Sequence, residues 1–217
     1  MESILPYLTA FGLSTGAGTK ASIPVIALGL FHYTPYFELS PRWEWIANPA
    51  VLIVLSGLLL LELYADSHPE LGELVDTIGY LPSFVAGFIA FAAVTGKVDS
   101  SLLQLAGSGL LGSGTAVVVR TVRNRMRAPF RESVEDLHDH AGVFATAGEA
   151  GAATAISAAS FVVPAAGAVA ALLAVISALA LGGIARGAKV ACPHCGAMID
   201  RRALVCAGCK AAVEVES

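Results

Sequence analysis

The chain has 217 residues, of which 56% are hydrophobic and only 14% charged, with a net charge of −4 and a mean hydropathy of +0.72. An average soluble domain is about 25% charged, so this few charges cannot cover a water-facing surface, and the lipid bilayer is the expected partner. The small net charge gives no footprint for nucleic acid, and the length admits one membrane domain, expected over 1–187, plus a small appendage over 188–217.

The first apolar segment, Leu5 to Phe31, is interrupted by Ser14-Thr15-Gly16-Ala17-Gly18-Thr19-Lys20. No basic stretch precedes it and no small-residue cleavage site follows, so a removable signal peptide is not expected. The second segment runs from Ile46 to Tyr64, the third from Val75 to Thr95 with Pro82 in its first part, and the fourth from Leu102 to Val122. Gly142 to Ile184 is twice the length of a span, and Pro164 and Gly167 divide it into a fifth and a sixth. Each segment approaches the ~20 residues a transmembrane helix needs, and lipid leaves helices as the default. The expected fold is an all-α transmembrane bundle of about six helices with a small C-terminal zinc ribbon.

Arg120, Arg123, Arg125, Arg127 and Arg131 lie between the fourth and fifth helices, and Arg186 and Lys189 follow the sixth. Basic residues mark the cytosolic side. This predicts a multi-pass protein of the cell (inner) membrane with both termini and the 65–75 loop in the cytosol. The 32–45 loop, with Tyr33, Tyr36, Trp43 and Trp45, then faces outward. Gly16-Ala17-Gly18-Thr19 is echoed by Gly112-Ser113-Gly114-Thr115, Glu62 by Glu149, and Leu81-Pro82 by Val163-Pro164. An odd number of spans per half would make this a 3+3 inverted repeat, a transporter architecture with its site at the repeat interface; chance recurrence of small residues explains the same pattern.

Both glycine-rich elements fall near mid-span. Ser22-Ile23-Pro24 reads as a helix start, with Ser as cap and an early proline, and a half-helix starting there aims backbone N–H groups into the bundle. Lys20 beside it costs about 2.5–3.5 kcal/mol at that depth, to be offset by a carboxylate, a water-filled cavity or an anionic ligand. The candidate substrate-binding set is therefore Gly16, Gly18, Thr19, Lys20, Ser22, Gly112, Gly114, Thr115 and Glu149, for an anionic or polar small molecule. Structural alternatives stand beside it: an ion pair or snorkelling for Lys20, and pairing with an arginine of the basic cluster for Glu149. Asp66-Ser67-His68-Pro69-Glu70 and Glu135-Asp136-Leu137-His138-Asp139-His140 carry metal-type ligands, although helix-capping loops have the same composition.

All four cysteines fall in Cys192-Pro193-His194-Cys195-Gly196 and Cys206-Ala207-Gly208-Cys209-Lys210. Two CxxC knuckles converge four thiolates, a set suited to structural zinc with no open position for catalysis; iron accepts the same donors. Ala203-Leu204-Val205 reads as the strand into the second knuckle. The pattern resembles the zinc-ribbon modules appended to many proteins, with Lys210 standing where glycine is usual.

Residues 8–30, Asn48-Pro49, Glu62-Leu63-Tyr64-Ala65-Asp66, Pro69 and Asp76 together resemble the prokaryotic membrane family filed as domain of unknown function 4126, over most of residues 5–185. The resemblance implies a multi-helix membrane protein and supplies no activity. The leading expectation is a small transporter or channel-like protein with a polar midplane site at Lys20. The second is a scaffold whose cytosolic ribbon docks a protein partner, and the third a membrane enzyme acting at the inner loops.

Overall fold

The computed structural model describes residues 4–96, 101–134, 141–187, 189–192, 194–200, 206 and 208–211. The chain divides into two compact units, Met1–Val175 and Ile176–Ser217, with the boundary inside a helix. Eight α-helices are described: α1 Leu5–Thr19, α2 Ser22–Phe31, α3 Pro49–Ser67, α4 Pro69–Ile78, α5 Tyr80–Thr95, α6 Leu102–Val134, α7 Ala141–Val162 and α8 Pro164–Gly187. Proline opens several of them, where its missing N–H costs nothing and its fixed φ suits the first turn. Asn48 caps α3 by accepting the Ala50 N–H at 2.9 Å. Pro164 separates α7 from α8 as the sequence predicts.

The first segment is not one interrupted span. A single extended residue, Lys20 (φ −140°, ψ 111°), ends α1, and α2 then folds back along it. Gly16 of α1 faces Pro24 of α2. The hydroxyl of Thr9 donates to Ser160 O at 3.0 Å, while the next residue of α7, Phe161, stacks on Phe31 with ring centroids 4.2 Å apart. Thr9 and Phe31 therefore lie at the same level of the bundle, and α1–α2 is a helical hairpin with its tip at Lys20. Tyr7 packs near Phe91, and Gly96 sits beside Trp43, which puts the start of α1 and the 32–45 loop at one end. This corrects the expectation that these two segments face opposite sides.

Within the first unit α1 is central, packed on α5, α6 and α7, and α5 packs closely on α6. Small residues make this possible. A Cβ at Gly87 would lie 2.7 Å from Gly112 O, and one at Gly18 would lie 2.5 Å from Ala116 O. Phe91, flanked by Phe11 and Tyr7, fills the centre of this core.

Two further expectations are revised. Gly112-Ser113-Gly114-Thr115 does not interrupt its helix: α6 runs unbroken from Leu102 to Val134, so the two halves differ in their first element. No proline follows within a turn to compel a break, and the Ser113 hydroxyl is engaged by Phe84 O at 3.0 Å and Gly109 O at 3.1 Å. The arginines expected in a loop after residue 122 are likewise helical. The third segment is divided at Gly79 into α4 and α5.

Among the described residues, Pro49–Ser67 and Leu74–Thr95 are long and apolar enough to cross a membrane, and Ser22–Phe31 and Pro164–Ala180 are shorter apolar helices. α3 presents Ile53, Val54, Leu58, Leu60 and Leu61 outward, and α8 presents Val169, Leu172 and Leu173. In the second unit β1 (Lys189–Ala191) pairs antiparallel with β2 (Met198–Asp200), Val190 opposite Ile199. The expected strand at 203–205 lies outside the described residues.

Candidate functional site

The hairpin tip and three helix ends bring a set of charged side chains together. The Lys20 ammonium, 0% exposed, pairs with Asp66 near the end of α3. Asp66 also receives Arg123 at 2.6 Å and faces Arg127 at 3.2 Å, the latter without hydrogen-bond alignment. Arg123 extends to Glu149 of α7 at 2.8 Å and to Asp76 of α4 at 3.6 Å. Arg127 meets Glu149 at 3.0 Å and the Thr146 hydroxyl at 2.7 Å. Lys20, Arg123 and Arg127 are thus matched by Asp66, Asp76 and Glu149. The network tapers from the fully enclosed Lys20 to Glu149, whose side chain is 21% exposed.

Local sequence explains the convergence. Arg120, Arg123 and Arg127 are spaced i, i+3, i+7 and share one face of α6, whereas Arg125 is exposed. Glu62 and Asp66, four apart, share a face of α3. Glu62 accepts the Ala21 N–H at 3.3 Å, so a carboxylate of α3 caps the start of α2. Ser22, expected as that cap, is instead the first helical residue and makes no side-chain cap bond. α6 is packed mainly on α5 and α1; ion pairs are its chief link to α3 and α7, and hydrogen bonds from Arg120 and Asn124 to Val75 O and Asp76 O join it to α4.

The structure brings Lys20 and Glu149 of the candidate set into one network. Gly16 packs on Ser157 of α7, Gly18 on Ala116 and Val119 of α6, and Gly112 on Gly87 and Phe91 of α5, so all three serve close packing. Thr19 bonds back to Thr15 O at 3.4 Å. Gly114 faces open space, and Thr115 bonds to Leu111 O at 3.0 Å on its own helix. Sequence reasoning named the carboxylate option for Lys20 without identifying Asp66, although the i, i+4 spacing from Glu62 was available. Asp66 is not part of a metal-type loop: it lies within α3, and His68 turns back onto the Tyr64 ring and Tyr64 O. The stretch 135–140 lies outside the described residues.

In the second unit the four thiols lie within 4.8 Å of one another. Cys192 and Cys209 Sγ are 3.8 Å apart, and Cys195 and Cys206 Sγ 3.6 Å. Tetrahedral zinc with ~2.3 Å Zn–S bonds separates its sulfurs by about 3.8 Å, so the donor set fits such an ion. The knuckles are built alike. Cys192 N–H donates to Ala197 O and Gly196 N–H to Cys192 O, both at 2.8 Å; Cys206 N–H donates to Ala211 O at 2.9 Å and Lys210 N–H to Cys206 O at 2.8 Å. Gly196 and Lys210 occupy the same left-handed position, with φ of 72° and 57°. The N–H groups of Cys209 and Gly208 pull the Cys206 thiol down to about 6. The Ala197 N–H favours the Cys195 thiolate, but hydrogen bonds among the thiols outweigh it and push Cys195 up to about 12. A metal ion bound there would displace the thiol protons.

A family model described as "Domain of unknown function (DUF4126)" matches residues 7–182, which contain the whole ion-pair network and end before the cysteines. Comparisons with curated proteins and with solved structures give no match.

Proposed function

We propose that this chain, which belongs to the DUF4126 family, is an integral membrane transporter gated at the α1–α2 hairpin tip. The observation that carries this reading is Lys20, fully enclosed at a helix break and held on an Asp66 that two arginines share. Buried ion pairs contribute little net stability compared with apolar packing of equal volume. A network of this size inside an apolar bundle is therefore better explained by a working role, as intramembrane charges usually are. Non-helical backbone at membrane depth is tolerated where protein or a cavity surrounds it, which the hairpin tip satisfies. Because α6 is tied to α3 and α7 mainly through charges, exchanging those partners would part the helices at modest cost. The exposed apolar faces of α3 and α8 supply the lipid contact.

Asp66 already neutralises Lys20, so a solute finds no empty lysine site, and the pair serves as the latch of the gate rather than as the solute's binding group. Proteoliposomes on a solid-supported membrane, given concentration jumps of amino acids, organic acids and alkali cations, test the reading. Wild type should give a current with at least one class, and Lys20→Met should abolish it while inserting normally. Correctly inserted wild type silent across the panel would put the scaffold reading first. That second reading rests on the tail: its metal ligands are complete within Cys192–Cys209, so the zinc-loaded ribbon can dock a partner without the bundle.

A further inference from the structure

Beyond the matched pairs, one cation and one carboxylate beside the network are left over among the described residues. Arg120 of α6 is 1% exposed and, among the described residues, meets no carboxylate at ion-pair distance. Its guanidinium gives Nη1–H to Ser83 Oγ at 3.1 Å and Nη2–H to Val75 O at 2.9 Å, with the Tyr80 ring 5.9 Å away. The backbone makes room for it, since a Cβ at Gly79 would collide with the guanidinium. Two of five N–H donors are used, and the buried Nε–H has no partner. Leaving a buried donor unpaired costs about 1–3 kcal/mol, more for a charged group, and such a group in a native interior marks a place for a water, an ion or a ligand.

Glu62 is its counterpart. Its carboxylate takes the Ala21 N–H and, among the described residues, reaches no cation at ion-pair distance. Asp66 and Arg123, one turn further along α3 and α6, meet at 2.6 Å, which sets Glu62 and Arg120 on adjoining turns of the two helices, and Lys20 is committed to Asp66. An arginine with an unused donor edge and a carboxylate with no cation, held apart in one low-dielectric interior, are complementary to a solute that carries both charges. We infer that Arg120 and Glu62 are the two poles of a binding site for a small amino carboxylate, the carboxylate on Arg120 and the ammonium on Glu62. Arginine is suited to the first role because its planar fork grips a carboxylate through two parallel N–H groups. Neither pole belongs to the Lys20–Asp66–Arg123–Arg127 network, so a solute can be held while the gate is closed. The inference rests on the transport reading, in which the hairpin tip leaves Asp66 to admit solute, and adds a solute class to it.

The test uses the full chain purified in detergent. Thermal unfolding and calorimetric titration are run with glycine, β-alanine and γ-aminobutyrate, and with acetate plus methylamine as the same charges unlinked. At least one amino carboxylate should stabilise wild type and bind, with the preferred chain length reporting the spacing of the poles; the unlinked pair should do neither. Arg120→Lys keeps the charge and loses the fork, and should weaken binding at least tenfold. Glu62→Gln keeps the Ala21 acceptor and should do the same. If all three solutes leave wild type unaffected, or if both variants bind as wild type does, the inference fails. A separate measurement keeps it apart from the transport reading: maleimide labelling of Thr146→Cys, at a position buried behind Arg127, in a background without other cysteines. Labelling without solute binding overturns the amino-carboxylate site alone. A Thr146→Cys protein that stays unlabelled even when Asp66→Asn removes the latch overturns the gate, and solute binding in that protein would retain the site without transport.

Discussion

At the residue scale the least expendable group is Asp66, because three cations depend on it. Asp66→Asn leaves Lys20 enclosed without a counter-charge, which costs on the order of 3–5 kcal/mol. Removing the cation as well, in Lys20→Met/Asp66→Asn, should recover about half of that loss. Unfolding in a graded denaturing-detergent series measures both, and simple additivity of the two substitutions would contradict the pairing. Lys210 is the opposite case, a residue in the wrong conformation rather than the wrong charge. Its φ of 57° places a side chain where the second knuckle needs none, at a cost of about 1 kcal/mol. Lys210→Gly should raise the stability of the metal-loaded tail by about that amount, read from the chelator concentration needed to release the metal. Gly196, at the equivalent position of the first knuckle, shows what the second turn lacks.

At the element scale the decisive feature is the α1–α2 hairpin. A break at Gly16–Lys20 could equally kink a single span or turn it back; the two outcomes place Ile4 on opposite sides of the membrane. The hairpin predicts that cysteines at Ile4 and Tyr36, both exposed, label from the same side in a background without native cysteines. A cysteine at Arg125, beyond the network end, should label from the other. Opposite labelling of Ile4 and Tyr36 would restore the single-span arrangement. The basic residues of α6 still favour the cytosol for the network end. The labelling should therefore find the start of α1 on the outer side, where sequence alone put it inside.

At the scale of the whole molecule, the two compact units should respond independently to metal. The knuckle hydrogen bonds are local and the thiols are supplied entirely from Cys192–Cys209. Structural zinc sites supply their own folding energy, so Cys195→Ser/Cys206→Ser should carry no bound metal while the helices insert and unfold as in wild type. Elemental analysis beside circular dichroism reads both; one equivalent of zinc in the double variant would refute the assignment. A fall in bundle stability on chelation would show instead that the tail props the helices.

Several features were legible without coordinates because they depend on local chemistry. The apolar helices long enough to cross a membrane follow from composition, the helix boundary at Pro164 follows from the missing proline N–H, and the cysteine cluster follows from two CxxC spacings. The pairing of Glu149 with an arginine was also readable, since a carboxylate in an apolar helix needs a cation and the basic cluster was adjacent. What the sequence could not decide was how a break is used and which charges meet. The direction of α2 is set by packing of Phe31 on Phe161 and of Gly16 beside Pro24, contacts that no local propensity encodes. Asp66 lies 46 residues from Lys20 and 57 from Arg123, and only the folding-back of α1–α2 against α3 and α6 brings them within bonding distance. The same folding leaves Arg120 and Glu62 without an ion-pair partner among the described residues, because a fixed backbone can satisfy neighbouring charges only where its helices approach.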